Sequence, residues 1–595
     1  MYILKTLTYK LNRTRLKLNS QRNFLIYCSV FVGLIGGLAA VVLKFLVHFM
    51  EDLSRNISSH LPYHFIYVFL PALGILGTVA YLHLINRDKI QKGIGNILVN
   101  IKRNRSNILF NNVYSHLISS SLTVGFGGSS GLEAPIVCTG AAIGSNTGRF
   151  FNLSSYEKTV LLAAGTSAGI AAVFNSPIAG VLFSLELLIG EITIPTFIPL
   201  LIASATGVVV SKVLYSSQLF HLATEGWVMN ALPFYILLGI LSGLTSVYIT
   251  TVAGKLEKGI FIKQNRYVRA ALGGLLLGVL ILLLPPLFGE GYHELQQALN
   301  GNIEAIKDQS IFSEYLNHPL ALLGFIALLI FMKIIAAGIT IGSGGNGGTF
   351  APTMFTGAFL GLFIAYGCNL TGLVHLNTSN FIAVGMAGAL SGVLHAPLTA
   401  IFLIAEITGG YVLFIPLMIV SAISYIISRH FNPHNMYWHD LVHERNIHPD
   451  HDYDMLSSIA IDSVINRNFT SVNKELQIRD FYKVISQSQA NIFAVLNQRK
   501  EIEGVVLVDE IRKQLFTEDF GDHAVAEIMI TPPAIIQYDQ PVDAVMKQFD
   551  KLEVWQLPVV KDGQFIGFVS KSSLLAKYRE AFIAQHKQTD LFAHH

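Results

Sequence analysis

The chain has 595 residues, of which 52% are hydrophobic and only 13% charged, with a net charge of +3 and a mean hydropathy of +0.51. That balance is too apolar for a soluble globular protein and excludes nucleic-acid binding by a basic surface as its main business. Three cysteines, Cys28, Cys138 and Cys368, each in apolar sequence, supply neither a disulfide framework nor metal spacing.

Lys5, Lys10, Arg13, Arg15, Lys17 and Arg22 precede the first long apolar segment, Asn23 to Met50, without an acid among them. The positive-inside rule puts this end in the cytoplasm. The segment is too long for a typical signal peptide and reads as a retained helix. Further apolar segments lie at 63–85, 194–215, 230–253, 267–288 and 319–341. From Ile334 to Ala405 the chain carries no Asp, Glu, Lys or Arg over 72 residues. A bilayer crossing needs about 20 apolar residues, so residues 23–430 read as an all-α polytopic membrane domain. Several of its segments are broken by Gly and Pro. Irregular backbone at that depth persists only inside protein or beside a water-filled cavity, so the breaks predict a transport path.

The membrane region repeats. Ala134-Pro135, Thr139-Gly140 and Gly144 recur as Ala351-Pro352, Thr356-Gly357 and Gly361. The stretch Phe174-Asn-Ser-Pro177 to Glu186 recurs as Leu394-His-Ala-Pro397 to Glu406, with each glutamate nine residues after its proline. Gly165 and Gly385 each lie twelve before it. Two fused repeats with corresponding broken segments point to a transporter whose site lies at the repeat interface. An odd number of crossings per repeat would make them inverted.

Two glycine-rich stretches, Gly125 to Pro135 and Gly342 to Pro352, each run into an apolar helix with proline near its start. Glycine admits close backbone approach, and the first N–H groups of a helix lack intrahelical partners. With the helix dipole they form an anion site that needs no fixed cation. Glu133 stands in the first stretch, with Phe350 at the equivalent place in the second. A carboxylate there would occupy the anion site as an internal competitor and leave on protonation.

After about residue 430 charge becomes frequent and apolar runs shorten to strand length: Ile492–Leu496, Gly504–Val508, Leu557–Val560 and Phe565–Val569. Helical patterns follow at Glu510–Phe516 and Ser572–Phe582. Gly504 and Gly567, 63 residues apart, mark two copies of a small α/β module. The domains read as a basic segment 1–22, a membrane domain 23–430, a linker 431–458 and a paired regulatory domain 459–595.

These motifs resemble the CLC family of chloride channels and chloride/proton antiporters. Gly131-Leu-Glu-Ala-Pro135 is similar to the family's Gly-Arg-Glu-Gly-Pro motif, which makes Glu133 the gating glutamate. Gly347-Gly-Thr-Phe-Ala-Pro352 is similar to its Gly-x-Phe-x-Pro motif, which puts Thr349 and Phe350 at the ion with Gly131 opposite. Tyr437 resembles the tyrosine whose hydroxyl coordinates the central anion. The helices ending at Glu186 and Glu406 resemble the family's paired helices at the dimer interface.

Two departures stand out. Gln91-Lys-Gly-Ile-Gly95 aligns with the family's Gly-Ser-Gly-Ile-Pro, so Lys92 replaces the serine; its ammonium either faces the ion or snorkels to cytoplasmic water. Leu187 replaces the internal proton acceptor of coupled members, with the acid one place earlier at Glu186. On a helix one residue turns a side chain by about 100°, and the match with Glu406 favours a structural role. The tail resembles a pair of CBS domains, with Ser570 and Ser573 where nucleotide-binding examples contact ribose; adenine nucleotide and a ligand-free dimerising module are both open there.

The resemblance implies chloride or a similar small anion as substrate, protons as a second partner, no required cofactor, a homodimer in the lipid bilayer, and an inner (plasma) membrane location with cytoplasmic termini. Two other classes fit weaker signals. Gly128-Ser-Ser-Gly131 matches a rhomboid-type serine protease pattern, with Ser130 as nucleophile and His395 as its base. A CBS-regulated cation transporter would want converging carboxylates in the pore, which the long uncharged run denies.

Overall fold

In the computed structural model the described residues are 21–59, 66–190, 193–215, 226–259, 263–299, 310, 312–372, 374–445, 447, 456, 459–512 and 520–590. The basic residues before Gln21 lie outside them. The chain divides into two compact units, Met1–Ile447 and His448–His595.

Among the described residues of the first unit, nine helical stretches are long and apolar enough to cross a bilayer. Six match the segments expected from hydropathy: Asn23–Ser54, Val68–Ile85, Ile194–Leu214, Met229–Glu257, Arg266–Leu283 and Pro319–Gly342. The first is 32 residues long, longer than the about 20 that a bilayer crossing needs. The others, Ser155–Phe174, Phe350–Leu370 and Phe414–Arg445, include the two most enclosed by neighbouring helices. Small residues fill these enclosed helices, because contact with protein rather than lipid rewards close packing.

The helices are numbered in chain order: α1 Gln21–Ser59, α2 Ile66–Ala80, α3 Ile94–Arg103, α4 Asn112–Gly125, α5 Glu133–Phe150, α6 Ser155–Phe174, α7 Pro177–Ser184, α8 Ile194–Leu214, α9 Leu232–Glu257, α10 Arg266–Leu283, α11 Tyr292–Leu299, α12 Pro319–Gly342, α13 Phe350–Leu370, α14 Thr378–Leu394, α15 Pro397–Ile407, α16 Phe414–Phe431 and α17 Met436–Arg445. The expected repeat is visible in their packing. α5 packs on α6 as α13 packs on α14, and α1 packs on α8 as α9 packs on α16. A methyl group on Gly140 would strike the Gly165 carbonyl, and one on Gly357 would strike the Gly385 carbonyl. Gly144 meets Leu161 backbone as Gly361 meets Phe381 backbone. Asn175 and His395, each two residues before the helix-starting proline, both end their helix in the left-handed conformation, at φ 55° and 54°.

α7 and α15 reveal how the repeats are related. Glu186, in a π-helical turn just past α7, accepts from the N–H groups of Leu398 (3.2 Å) and Thr399 (2.8 Å) and from the Thr399 hydroxyl (2.6 Å). Glu406, near the end of α15, accepts from the N–H groups of Ile178 (3.1 Å) and Ala179 (3.0 Å). Each glutamate thus supplies the side-chain acceptor that the other repeat's proline-started helix lacks at its N-terminus. The two helices must lie antiparallel for both caps to form, as an inverted repeat requires.

α17, which falls in the linker by sequence, packs on α3 and belongs to the membrane unit. The second unit holds two sheets: β2 (Ser471–Val472), β3 (Ile492–Leu496) and β4 (Ile502–Leu507) in one, and β1 (Ile465–Asn466), β7 (Gln564–Ser570), β6 (Gln556–Lys561) and β5 (Ile536–Gln537) in the other. In each copy a parallel pair joined through a helix is followed by an antiparallel hairpin. Gly504 pairs with Val495 and Gly567 with Val559, and each register shifts just after that pair on the first strand of its hairpin. All four expected strands are present. The helix expected at Ser572–Phe582 runs from Lys571 to Asp590. The one expected at Glu510–Phe516 begins at Val508 and is described to Ile511; residues 513–519 lie outside the described set.

Candidate functional site

Both glycine-rich stretches turn directly into helices, α5 starting at Glu133 and α13 at Phe350. The loops meet back to back. Gly131 N–H donates to Gly348 O and Gly348 N–H to Gly131 O, both at 2.8 Å, as an isolated antiparallel bridge. A methyl on Gly131 would collide with the Glu133 carboxylate and come within 2.8 Å of Ala351 Cβ. One on Gly348 would sit 2.8 Å from Ala134 Cβ. Glycine is therefore required at the seam to let two helix tips approach. The bridge uses the Gly131 and Gly348 amides on each other, so these two are not available to an ion in this arrangement.

The third expected motif joins them. Gly93, at φ 82°, caps α3, and Gly93, Ile94 and Gly95 border a cavity of about 250 Å³ that also touches Ala134, Gly348 and Thr349. Three helix N-termini thus open onto one cavity. A Cβ at Gly93 would meet nothing within 4 Å; only its positive φ calls for glycine. Tyr437, near the start of α17, lines the same cavity. Thr349 lines it too, its hydroxyl 3.1 Å from Met436 Sδ. Phe350 is buried, with its ring 5.8 Å from Phe174 and 6.3 Å from Phe183.

Lys92 also borders the cavity, and neither sequence expectation describes its ammonium fully. Nζ donates to Gly344 O (2.8 Å) and Gly345 O (3.1 Å), just beyond the C-terminus of α12. A cation there satisfies carbonyls that the helix leaves open and complements its dipole. The charge stands at the cavity edge while holding the second glycine loop in place.

Glu133, next to Ala134 of the cavity wall, is only 1% exposed. Its Oε1 accepts from the Tyr292 hydroxyl at 2.7 Å. Among the described residues its Oε2 has no hydrogen-bond partner, and the carboxylate faces the Ala351 backbone in the first turn of α13. Sequence reasoning missed Tyr292 and the strap that carries it. Glu290 Oε1 accepts from Leu132 N–H at 3.1 Å. Lys333, fully buried on α12, donates to Leu287 O (3.3 Å) and Gly289 O (2.9 Å), and its ammonium lies 4.8 Å from the centre of the Phe355 ring. The one legible signal was Lys333 itself, a lone cation in an apolar helix, which calls for a partner by default.

The profile of the voltage-gated chloride channel family matches residues 78–429, and that of the CBS domain residues 525–580. The chain belongs to the CLC family. A ClcB-like protein of Ralstonia nicotianae is 30% identical over 342 residues, covering 55% of this chain and 74% of the relative. The voltage-gated ClC-type chloride channel ClcB of Escherichia coli O9:H4 (strain HS) is 29% identical over 332 residues, covering 54% and 73%. The fold is shared with a slow cyanobacterial Cl−/H+ antiporter (TM-score 0.60, 21% identity, 72% of this chain and 98% of that one). It is shared equally with a eukaryotic CLC transporter (TM-score 0.59, 17% identity, 93% and 99%). This CLC protein is thus an integral multi-pass transport protein with a C-terminal CBS pair, and not an enzyme. Among the described residues Ser130 Oγ is buried without a hydrogen-bond partner, and the His395 ring lies edge-on to Tyr425 at 5.7 Å, so the serine–histidine pair of a protease is not assembled.

Leu187 is buried and apolar, while Glu186 is committed to its cap. In the CBS pair, Ser570 and Ser573 cap the last helix. Ser570 Oγ accepts from Ser573 N–H at 3.0 Å, and Ser573 Oγ accepts from Ser570 N–H at 3.3 Å. This is the reciprocal logic of a capping box.

Proposed function

We propose that this CLC protein carries chloride or a similar small anion across the membrane, with Glu133 as a gate that opens on protonation. The observation that carries the reading is the junction of the two glycine loops. Helix tips from both repeats meet there, a cavity reaches them from one side, and a buried carboxylate fills the space beside them. An anion in the cavity would lose water stepwise against backbone N–H groups at the starts of α3, α5 and α13, among Thr349, Phe350 and Tyr437. The Lys92 charge at the rim would favour its entry. Partial charges bind an ion without trapping it, as conduction demands. Glu133 competes for the same polar seam while ionised and withdraws when neutral.

Whether each anion is exchanged for a proton or passes as through a channel turns on the internal proton route, since Leu187 carries no acid. The Glu186 and Glu406 helices are proposed as the contact between two copies of the chain in a homodimer. Both termini are proposed to lie in the cytoplasm at an inner membrane, and the basic N-terminal residues support this for the N-terminus. Adenine nucleotide binding would require Ser570 and Ser573 to exchange their cap for a ribose, which favours a CBS pair that acts without ligand.

The test is chloride efflux from liposomes at several pH values, with wild type and Glu133→Gln. The neutral side chain is expected to leave flux high and indifferent to pH. If pH dependence survives the substitution, Glu133 is not the gate.

A further inference from the structure

Glu133 is sealed, so any proton that reaches it from the cavity must travel through groups facing that cavity. We propose that Glu257, the last residue of α9, is the group that exchanges protons between cavity water and the gate. This rests on the reading of Glu133 as a protonatable gate.

Glu257 lines the cavity together with Lys92, Thr349 and Tyr437. Among the described residues its carboxylate makes no hydrogen bond and no ion pair. The surrounding cations are otherwise engaged. Lys258, next in sequence, is held by Asp440 (3.2 Å) and Glu444 (2.6 Å). Lys92 is held by the Gly344 and Gly345 carbonyls. Arg445 donates to Asn96 Oδ1 at 3.2 Å. Asp440, on the facing helix α17, adds a like charge. A half-buried carboxyl with no countercharge, beside another acid, takes up and releases a proton readily, whereas a paired one is pinned in its ionised form.

Its position supports the same role. The end of α9 packs on α12: a methyl on Gly338 or Gly342 would strike Leu256. This fixes Glu257 beside the helix that leads into the second glycine loop. Tyr437 lines the same cavity as Glu257 and as Ala134, the neighbour of Glu133, so its phenol shares the space that connects them. Water in the cavity and this hydroxyl are the proposed path from Glu257 towards Glu133. Glu186, the nearest acid in sequence to the expected internal site, is excluded by its three hydrogen bonds to the α15 cap.

The experiment sets pH separately on the two sides of a planar bilayer and records anion current and proton flux for wild type, Glu257→Gln, Glu257→Asp and Glu133→Gln. Wild type is expected to respond to pH on the α17 side. Glu257→Gln is expected to lose that response and any proton flux from that side, while anions still pass and the opposite side still acts. Glu257→Asp, which keeps the carboxyl, is expected to retain part of the response. A wild-type response in Glu257→Gln overturns the assignment, as does a wild type that ignores pH on the α17 side. Survival of all pH dependence in Glu133→Gln would instead overturn the gate reading.

Discussion

Replacing Glu186 or Glu406 with alanine tests whether the reciprocal caps at α7 and α15 hold the two repeats together. Alanine at Glu406 leaves the Ile178 and Ala179 N–H groups without their acceptor. At Glu186 it abandons two N–H groups and the Thr399 hydroxyl as well. Loss of an N-cap acceptor costs about 1 kcal/mol and up to about 2, and hydrogen bonds to a charged group are worth about 1.5–3 kcal/mol each. Both carboxylates are only half-buried, which places the total towards the low end. The expected losses are about 2 kcal/mol for Glu406→Ala and about 3 kcal/mol for Glu186→Ala, because the latter orphans one more donor. Glutamine retains one oxygen as acceptor but surrenders the charge, so Glu186→Gln should fall between wild type and alanine. The assay is thermal unfolding in detergent, followed by intrinsic fluorescence, with chloride efflux measured on the same preparations. Glu186→Ala as stable as wild type would refute the cap. So would Glu186→Gln at full stability but with proton flux abolished, since that pattern belongs to a proton acceptor and not to a brace.

Tyr292→Phe removes the 2.7 Å bond that tethers Glu133. A bond to a carboxylate worth about 1.5–3 kcal/mol shifts the balance towards the released gate by roughly 10- to 100-fold. Chloride efflux at neutral pH should therefore rise, and unchanged efflux would dismiss the tether. Gly385→Ala forces a methyl onto the Gly357 carbonyl and should cost about 1–3 kcal/mol as the α13–α14 crossing opens; thermal unfolding reads this. Asp88, outside the spans, is held below the usual carboxylate range chiefly by its hydrogen bond from Arg266. A depressed carboxyl stabilises above its unfolded pKa and loses that contribution as pH falls through the folded value. Asp88→Asn should accordingly flatten the acid side of the stability profile, though only slightly because the pair is half exposed.

The amino-acid sequence by itself determined the membrane class, the two repeats, the tips of the two glycine-started helices and the strands of the CBS pair. Those features are written in local composition: apolar runs of bilayer length, glycine ahead of Ala-Pro, and alternation bounded by turns. Glu133, Thr349 and Phe350 stood out as candidates because each sits inside such a motif, whereas Tyr437 stood out only through the family resemblance. Only the tertiary structure decided what faces what. Tyr292 and Glu290 lie far from Glu133 in the chain and carry no motif, so nothing local announces that a strap covers this carboxylate. Lys92 could have turned to the ion or to water, and the carbonyls of Gly344 and Gly345 that hold it are some 250 residues away. Glu186 and Glu406 matched as a pair, yet their exchange of caps, and with it the antiparallel packing of α7 on α15, needed coordinates. Hydrogen bonds and charge act through space over a few ångströms, whereas pattern records only what neighbours along the chain must do.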